Sequence, residues 1–110
     1  MPVYALNLFD IADADEYLQY SRRAPEAIAK HGGTVVALGG FQESVVGEIA
    51  PRQVMILVLW ESREGFDAYN DDPDLADLHP HRIDGTTNYV WHLFDRLDGL
   101  GPLLRAHRNP

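Results

Sequence analysis

The order of apolar and polar positions divides the chain into alternating strand-like and helix-like stretches. Val3 to Phe9 is apolar apart from Asn7 and reads as a strand covered on both faces. Asp13-Ala-Asp-Glu16 has the spacing of a capping box, and Tyr17, Tyr20, Ala24, Ala27 and Ile28 follow at helical intervals until Gly32-Gly33 stops the run. The pattern predicts one helix here, bent where Pro25 removes a backbone hydrogen bond. Thr34 to Leu38 predicts a second strand, ending at Gly39-Gly40. Gln42 to Ile49 reads as a short strand or bulged extension before a turn at Pro51, and Gln53 to Trp60, the most apolar stretch, as the third strand. Ser62 caps a short helix through Phe66 and Tyr69, and Asp72-Pro73 has the cap-plus-proline form of a new start. The second helix is therefore predicted in two pieces. The later piece carries Leu75 and Leu78, reaches His79-Pro80-His81-Arg82 and stops near Gly85. Thr86 to Phe94, rich in β-branched and aromatic residues, predicts the fourth strand.

The resulting order, β-α-β-β-α-β, is the split βαβ pattern of ferredoxin-like α+β folds with a four-stranded antiparallel sheet. It spans residues 1–95, and residues 96–110 form a tail that could bury Leu103 and Leu104 against a neighbour at a dimer interface. Two helices cover only one face of such a sheet, yet the first, third and fourth strands are apolar at both parities. The uncovered face needs a partner, and the sheet of a second copy is the simplest one. A homodimer is the expectation.

Composition narrows the function classes. At 110 residues the chain fits one domain. Nine basic against 17 acidic residues leave a net charge of −8, which argues against nucleic acid or an anionic membrane as partner. No apolar run approaches the roughly 18 residues that span a bilayer, and Met1-Pro2-Val3-Tyr4 does not open as a secretory signal, so a cytoplasmic location is expected. Absence of cysteine excludes disulfide and thiolate chemistry. Lys30 is the only lysine and falls near the end of a predicted surface helix, a poor place for Schiff-base chemistry.

The start Met-Pro-x-Tyr, Arg23-Ala-Pro25 leading to Gly32-Gly33, the Gly39-Gly40 pair, the Pro51-Arg52 turn and Trp60-x-Ser62 together resemble the dimeric α+β-barrel superfamily. Within it the chain is most similar to the domain-of-unknown-function family thirteen-thirty, from Met1 to about Phe94. That resemblance implies the fold and the dimer but carries no activity. A second one is more chemical. Trp60-Glu-Ser62, Phe66, Tyr69, Leu78-His79 and Arg82 resemble the matching stretch of haem-degrading monooxygenases of the antibiotic-biosynthesis monooxygenase group. It implies His79 as a haem-iron ligand, with Tyr69 and Asn7 completing the site. Tyr69 stands where that group has tryptophan, and Pro80 directly follows the ligand position.

The residues themselves leave several chemistries open. His79, His81 and Arg82 offer two imidazoles that titrate near neutrality and a guanidinium that clamps a carboxylate, enolate or phenolate. Equally, they read as a helix end where basic groups meet the last carbonyls. A His-x-His metal site would need a third ligand such as His92 or Asp77. His92, inside the fourth strand, needs a hydrogen-bond partner or water, and Asn7 on the neighbouring first strand could supply it inside the barrel. The alternative is a core histidine satisfied by a carbonyl or a dimer contact. Trp60, Tyr69, Phe66 and Trp91 bury area first, and beside His79 and Asn7 they would also give a flat substrate something to stack on. Glu43 and Glu48 read as exposed, with a carboxylate at the barrel mouth as a possible base. Phosphate-loop, dinucleotide and serine-elbow motifs are all missing.

Three functions follow. The first is a cofactor-independent enzyme of proton-transfer, isomerase or monooxygenase type acting on a small apolar organic substrate. In it His79, His81 or His92 acts as base, Arg82 and Asn7 stabilise negative charge, and Trp60, Tyr69 and Phe66 line the pocket. The second is a haem-binding or haem-degrading protein with His79 on iron. The third is a non-catalytic ligand-binding or stress protein.

Overall fold

Alternation along the first strand sets the architecture: Val3, Ala5, Asn7 and Phe9 are buried, while the residues between them are only partly covered. The computed structural model describes residues 1–47 and 49–108. Its elements are β1 (Val3–Ile11), α1 (Ala14–Ser21), α2 (Ala24–Lys30), β2 (Gly33–Gly40), β3 (Val54–Trp60), α3 (Arg63–Asp71), α4 (His79–Gly85), β4 (Thr86–Asp95) and α5 (Gly101–Ala106), with a 3-10 turn over Pro73–Leu75. The four strands form one antiparallel sheet in the order β2-β3-β1-β4, the ferredoxin-like arrangement. Helices cover one face. The core between them and the sheet is built on Ala5, Val58, Trp60, Tyr69 and Leu78, with Tyr20, Ala24, Ala27 and Ile28 brought in by α1 and α2. Among the described residues no helix is long and apolar enough to cross a membrane.

Three local expectations are corrected. The first helix is two helices rather than one bent one: α1 ends at Ser21, and Pro25 sits in the first turn of α2, where a missing N–H would have had no helical partner. Residues 41–47 form no strand; the β2–β3 connection is irregular and closes with the Phe41 N–H donating to the Gln53 carbonyl at 2.9 Å. His79-Pro80-His81-Arg82 opens α4 rather than ending a helix, so both imidazoles lie in its first turn, where Pro80 is tolerated, and only Arg82 falls in the last turn.

Caps behave as the sequence suggests. The Asp13 carboxylate accepts from the N–H groups of Asp15 and Glu16, and Ser62 accepts from Gly65. Gly32, with φ of 84°, turns the chain from α2 into β2. In β2 a bulge at Val36 shifts the register between Val35 and Ala37 and turns Leu38 to the same face as Ile56. The tail helix α5 leaves Leu103 and Leu104 exposed on the single chain.

Helices α1 and α4 lie against each other at Gly85, where an added Cβ would stand 2.7 Å from the Tyr17 backbone nitrogen and 2.8 Å from its Cα. Gly85→Ala is expected to destabilise the fold by about 1–3 kcal/mol, because both opposing atoms are backbone. A lower urea midpoint at unchanged slope would show it; an unchanged midpoint would mean that the helix pair can slide apart freely.

Asp72 ties α2 to the turn after α3. Its carboxylate accepts from His31 Nε2 at 2.8 Å, the Asp74 N–H at 2.9 Å and Lys30 Nζ at 3.1 Å. These donors, His31 foremost, hold its pKa at about 2 against an ordinary 3.8. A folded value below the unfolded one means stability that is present above the unfolded value and lost as pH falls toward the folded one. Asp72→Asn should therefore lower the denaturation midpoint near neutral pH, with the gap to wild type closing below about pH 3.

Candidate functional site

Where α1 gives way to α2 the helix layer stands off from the sheet, leaving a cavity of about 400 Å³. The side chains that hold the layers apart are rings. Tyr17 and Tyr20 come from α1, Tyr69 from α3, Trp60 from β3, and Tyr89 and Trp91 from β4. Their contacts run continuously: Phe9 lies between Tyr17 and Tyr89 at 5.1 Å from each, stacking on the latter, and Trp60 packs on Tyr69 at 5.2 Å and on Phe66 at 5.7 Å. Ala5, Ala24 and Val58 leave room between the rings, and Leu38 and Ile56 complete the wall toward the β2 edge. Leu38 is 72% exposed, so the cavity opens there.

Polar groups in this wall are few and mostly hydrogen-bonded to each other. Asn7 is the only buried polar residue among those described. Its amide nitrogen donates to the Ile56 carbonyl at 3.2 Å and the Ala5 carbonyl at 3.3 Å, and its side-chain oxygen accepts from the Tyr89 hydroxyl. The Tyr20 and Tyr69 hydroxyls share a hydrogen bond of 2.6 Å. Arg82, from α4, lays its guanidinium 4.8 Å from the Trp91 ring and 5.4 Å from that of Tyr89. No carboxylate pairs with it among the described residues, and its Nε is buried without a partner. The indole N–H groups of Trp60 and Trp91 are also buried and unpartnered.

Burial governs the titration of these groups. It pushes Tyr17 up to about 12 and moves Tyr20, Tyr69 and Tyr89 upward as well, the nearby Arg82 charge working in the opposite direction on all four. His79 moves down, first through burial and then through Arg82, and is neutral at pH 7.

The residues singled out in the sequence separate into two groups. Asn7, Trp60 and Tyr69 line the cavity, and Arg82 stacks against its wall. Phe66 supports the wall from behind, edge-on to Trp60 and Trp91. His79 packs edge-on against Tyr69 at 5.2 Å and neither ring nitrogen makes a hydrogen bond of ordinary geometry. His81 and His92 do not join them. His81 Nδ1 pairs with Glu16 at 2.8 Å on the α1–α4 seam. His92 faces Leu6 in register, whereas Asn7 faces Trp91, so the two lie on opposite faces of the sheet and the expected Asn7–His92 pair is not formed. His92 instead borders an open depression on the uncovered face, with Leu6, Leu8, Met55 and Val90. The metal alternative gains no third ligand: Asp77 pairs with Arg23, and no three such side chains converge among the described residues. Glu43 is exposed, and Glu48 lies outside the described residues. Sequence reasoning missed Tyr17, Tyr20 and Tyr89 as site residues. The signal was present for two of them, since a pair of tyrosines three apart on one helix face puts two hydroxyls into an otherwise apolar contact.

Haem fits this site poorly. His79 is not among the lining residues, Tyr69 stands between it and the cavity, and the space is closed above by α1 and α2.

The cavity predicts its own spectroscopic behaviour. A tyrosine whose folded pKa is raised contributes stability that is fully present below the unfolded value near 10 and lost as pH rises through the folded value. In an alkaline titration followed by tyrosinate absorbance, Tyr17, Tyr20, Tyr69 and Tyr89 are expected to stay protonated at pH about 11 and to ionise together with unfolding. Four ionisations in the folded protein near pH 10 would contradict the geometry. Tyr69→Phe, which removes one partner of the 2.6 Å bond, should cost about 1 kcal/mol or somewhat more.

Comparison with known proteins places the fold. Solved structures that share it include the following three. A protein of unknown function from Rhodopseudomonas palustris superposes with a TM-score of 0.76 at 21% identity, over 89% of this chain and 84% of that one. SnoaB, a cofactor-independent oxygenase from Streptomyces nogalater, gives 0.58 at 18%, over 91% and 97%. A dimeric ferredoxin-like protein of unknown function from Jannaschia sp. CCS1 gives 0.65 at 10%, over 87% and 100%. Among curated proteins none matches. The model of the domain of unknown function DUF1330 matches residues 2–93, and the chain belongs to that family.

Proposed function

We propose that the chain binds a small, flat, largely apolar organic molecule between its helices and its sheet, and acts on it without a cofactor by proton transfer or oxygenation of an activated carbon. The cavity carries this reading. Its volume falls in the range of small-molecule sites, its walls are aromatic, and a few polar groups converge on it. An interior filled by side chains would have favoured a purely structural protein. His79 is the candidate base: an imidazole kept neutral at pH 7 can accept a proton, and it packs edge-on at 5.2 Å against Tyr69, a residue of the cavity wall. Asn7, fixed by its two carbonyl partners and Tyr89, orients the substrate. The shared fold with a cofactor-independent oxygenase supports the same class of chemistry.

A homodimer belongs to the same reading. Leu6, Leu8, Met55 and Val90 form an apolar patch on the face that no helix covers, and proteins of this fold are dimeric in other organisms.

Binding is tested by titrating purified protein with polycyclic phenols while following Trp60 and Trp91 fluorescence; a saturable change is expected. With a turned-over compound in hand, His79→Ala should lower the rate by about 10²–10⁴ with little change in affinity, whereas His81→Ala and His92→Ala should leave it near wild type. Turnover indifferent to His79 would remove the base, and absence of saturable binding would remove the small-molecule reading. Sedimentation should give twice the chain mass at micromolar concentration.

A further inference from the structure

The hydrogen-bonding inventory of the cavity is lopsided. The Trp60 and Trp91 indole N–H groups and the Arg82 Nε–H are buried donors without acceptors. The Tyr20–Tyr69 pair adds another, because two hydroxyls carry two hydrogens and their mutual bond uses one. On the accepting side, the Asn7 oxygen is already taken by Tyr89, no carboxylate lines the space, and the unpartnered acceptor nitrogen of neutral His79 lies behind Tyr69, outside the lining. The charge inventory leans the same way. The Arg82 guanidinium lies on the ring faces of Trp91 and Tyr89 and has no anionic partner among the described residues, in a chain whose net charge is −8. A half-buried cation and several orphan donors are complementary to one kind of ligand atom, an oxygen that accepts more than one hydrogen bond and carries negative charge.

We propose that the cavity takes its ligand as an oxyanion: a flat aromatic phenol or enol that loses its O–H proton to solvent on binding and sets the resulting oxygen at the Tyr20 and Tyr69 hydroxyls, in the field of Arg82. This rests on the small-molecule reading above and names the class of molecule. The tyrosine hydroxyls stay protonated and donate; Arg82 supplies the charge from behind Trp91 and Tyr89; the aromatic walls hold the ring. Burial by itself pushes an acid the other way, toward its neutral form, as it does for the wall's own tyrosines. The sign of the ligand's shift therefore decides between an apolar slot and an oxyanion site.

The probe is 4-nitro-1-naphthol, whose neutral and ionised forms absorb at different wavelengths, titrated into the intact protein across a pH series. Its pKa in the complex is expected to lie at least about one unit below the free value, which is a tenfold tighter binding of the anion than of the neutral form. Arg82→Gln should return the bound value to the free one or above it while the probe still binds, and Arg82→Lys, which keeps the charge but loses the planar stack, should retain part of the shift. A bound value equal to or above the free one in the wild type overturns the proposal and leaves the small-molecule reading standing. A lowered value unaffected by Arg82→Gln overturns the role of Arg82, and with it the proposal. If that variant does not fold, the wild-type shift and the lysine variant decide alone. No saturable binding of either form overturns both readings.

Discussion

The helix layer of this protein rests on rings. Tyr17, Tyr20, Tyr69, Trp60, Tyr89 and Trp91 stand between two helices and the sheet where aliphatic side chains would have interdigitated. Rings of this size meet at edges and offsets, 5.1 to 6.0 Å between centroids, and cannot fill space as leucine and valine do. Other features follow from that constraint. Small residues, Ala5 beneath and Ala24 above, leave the volume open, and the break between α1 and α2 lets the chain pass over the gap without crossing it. Buried ring hydroxyls must then find partners, which accounts for the Tyr20–Tyr69 bond and for the single polar residue at the centre of β1.

The fold is legible in the sequence because its determinants are local. Strand alternation, the Asp13 and Ser62 caps, the Gly32-Gly33 stop and the Asp72-Pro73 start each act over a few residues and fall within one or two positions of the observed ends. The misreadings have physical causes too. Pro25 bends a helix or begins one according to whether the preceding residues close the turn, and Arg22-Arg23 are compatible with both. His79-Pro80 reads as an ending in a pattern that lacks a polar cap, yet Leu78 starts α4 without a side-chain hydrogen bond.

The site is less legible because it is made by register. Asn7, Trp60 and Tyr69 stand out from residue type and parity alone. Whether His92 shares a face with Asn7 depends on pairing two strands more than eighty residues apart, and a slip of one position exchanges His92 for Trp91 opposite Asn7. Nothing local fixes that slip. The tyrosines were overlooked because an aromatic stripe at helical spacing buries area whether or not a space lies beneath it, and only the height of the helix above the sheet distinguishes the two.

One residue in β2 has a wider meaning. Val36 is the extra residue of the bulge, and it lies in a strand paired on one side only. A residue can be gained or lost at such an edge without disturbing the strands that carry Trp60 and Asn7, yet each change of one reverses which side chain, Leu38 or its neighbour, frames the opening. The width and chemistry of the entrance are thereby separable from the interior. An insertion at that edge would change what the chamber admits while leaving the residues of its aromatic walls in place.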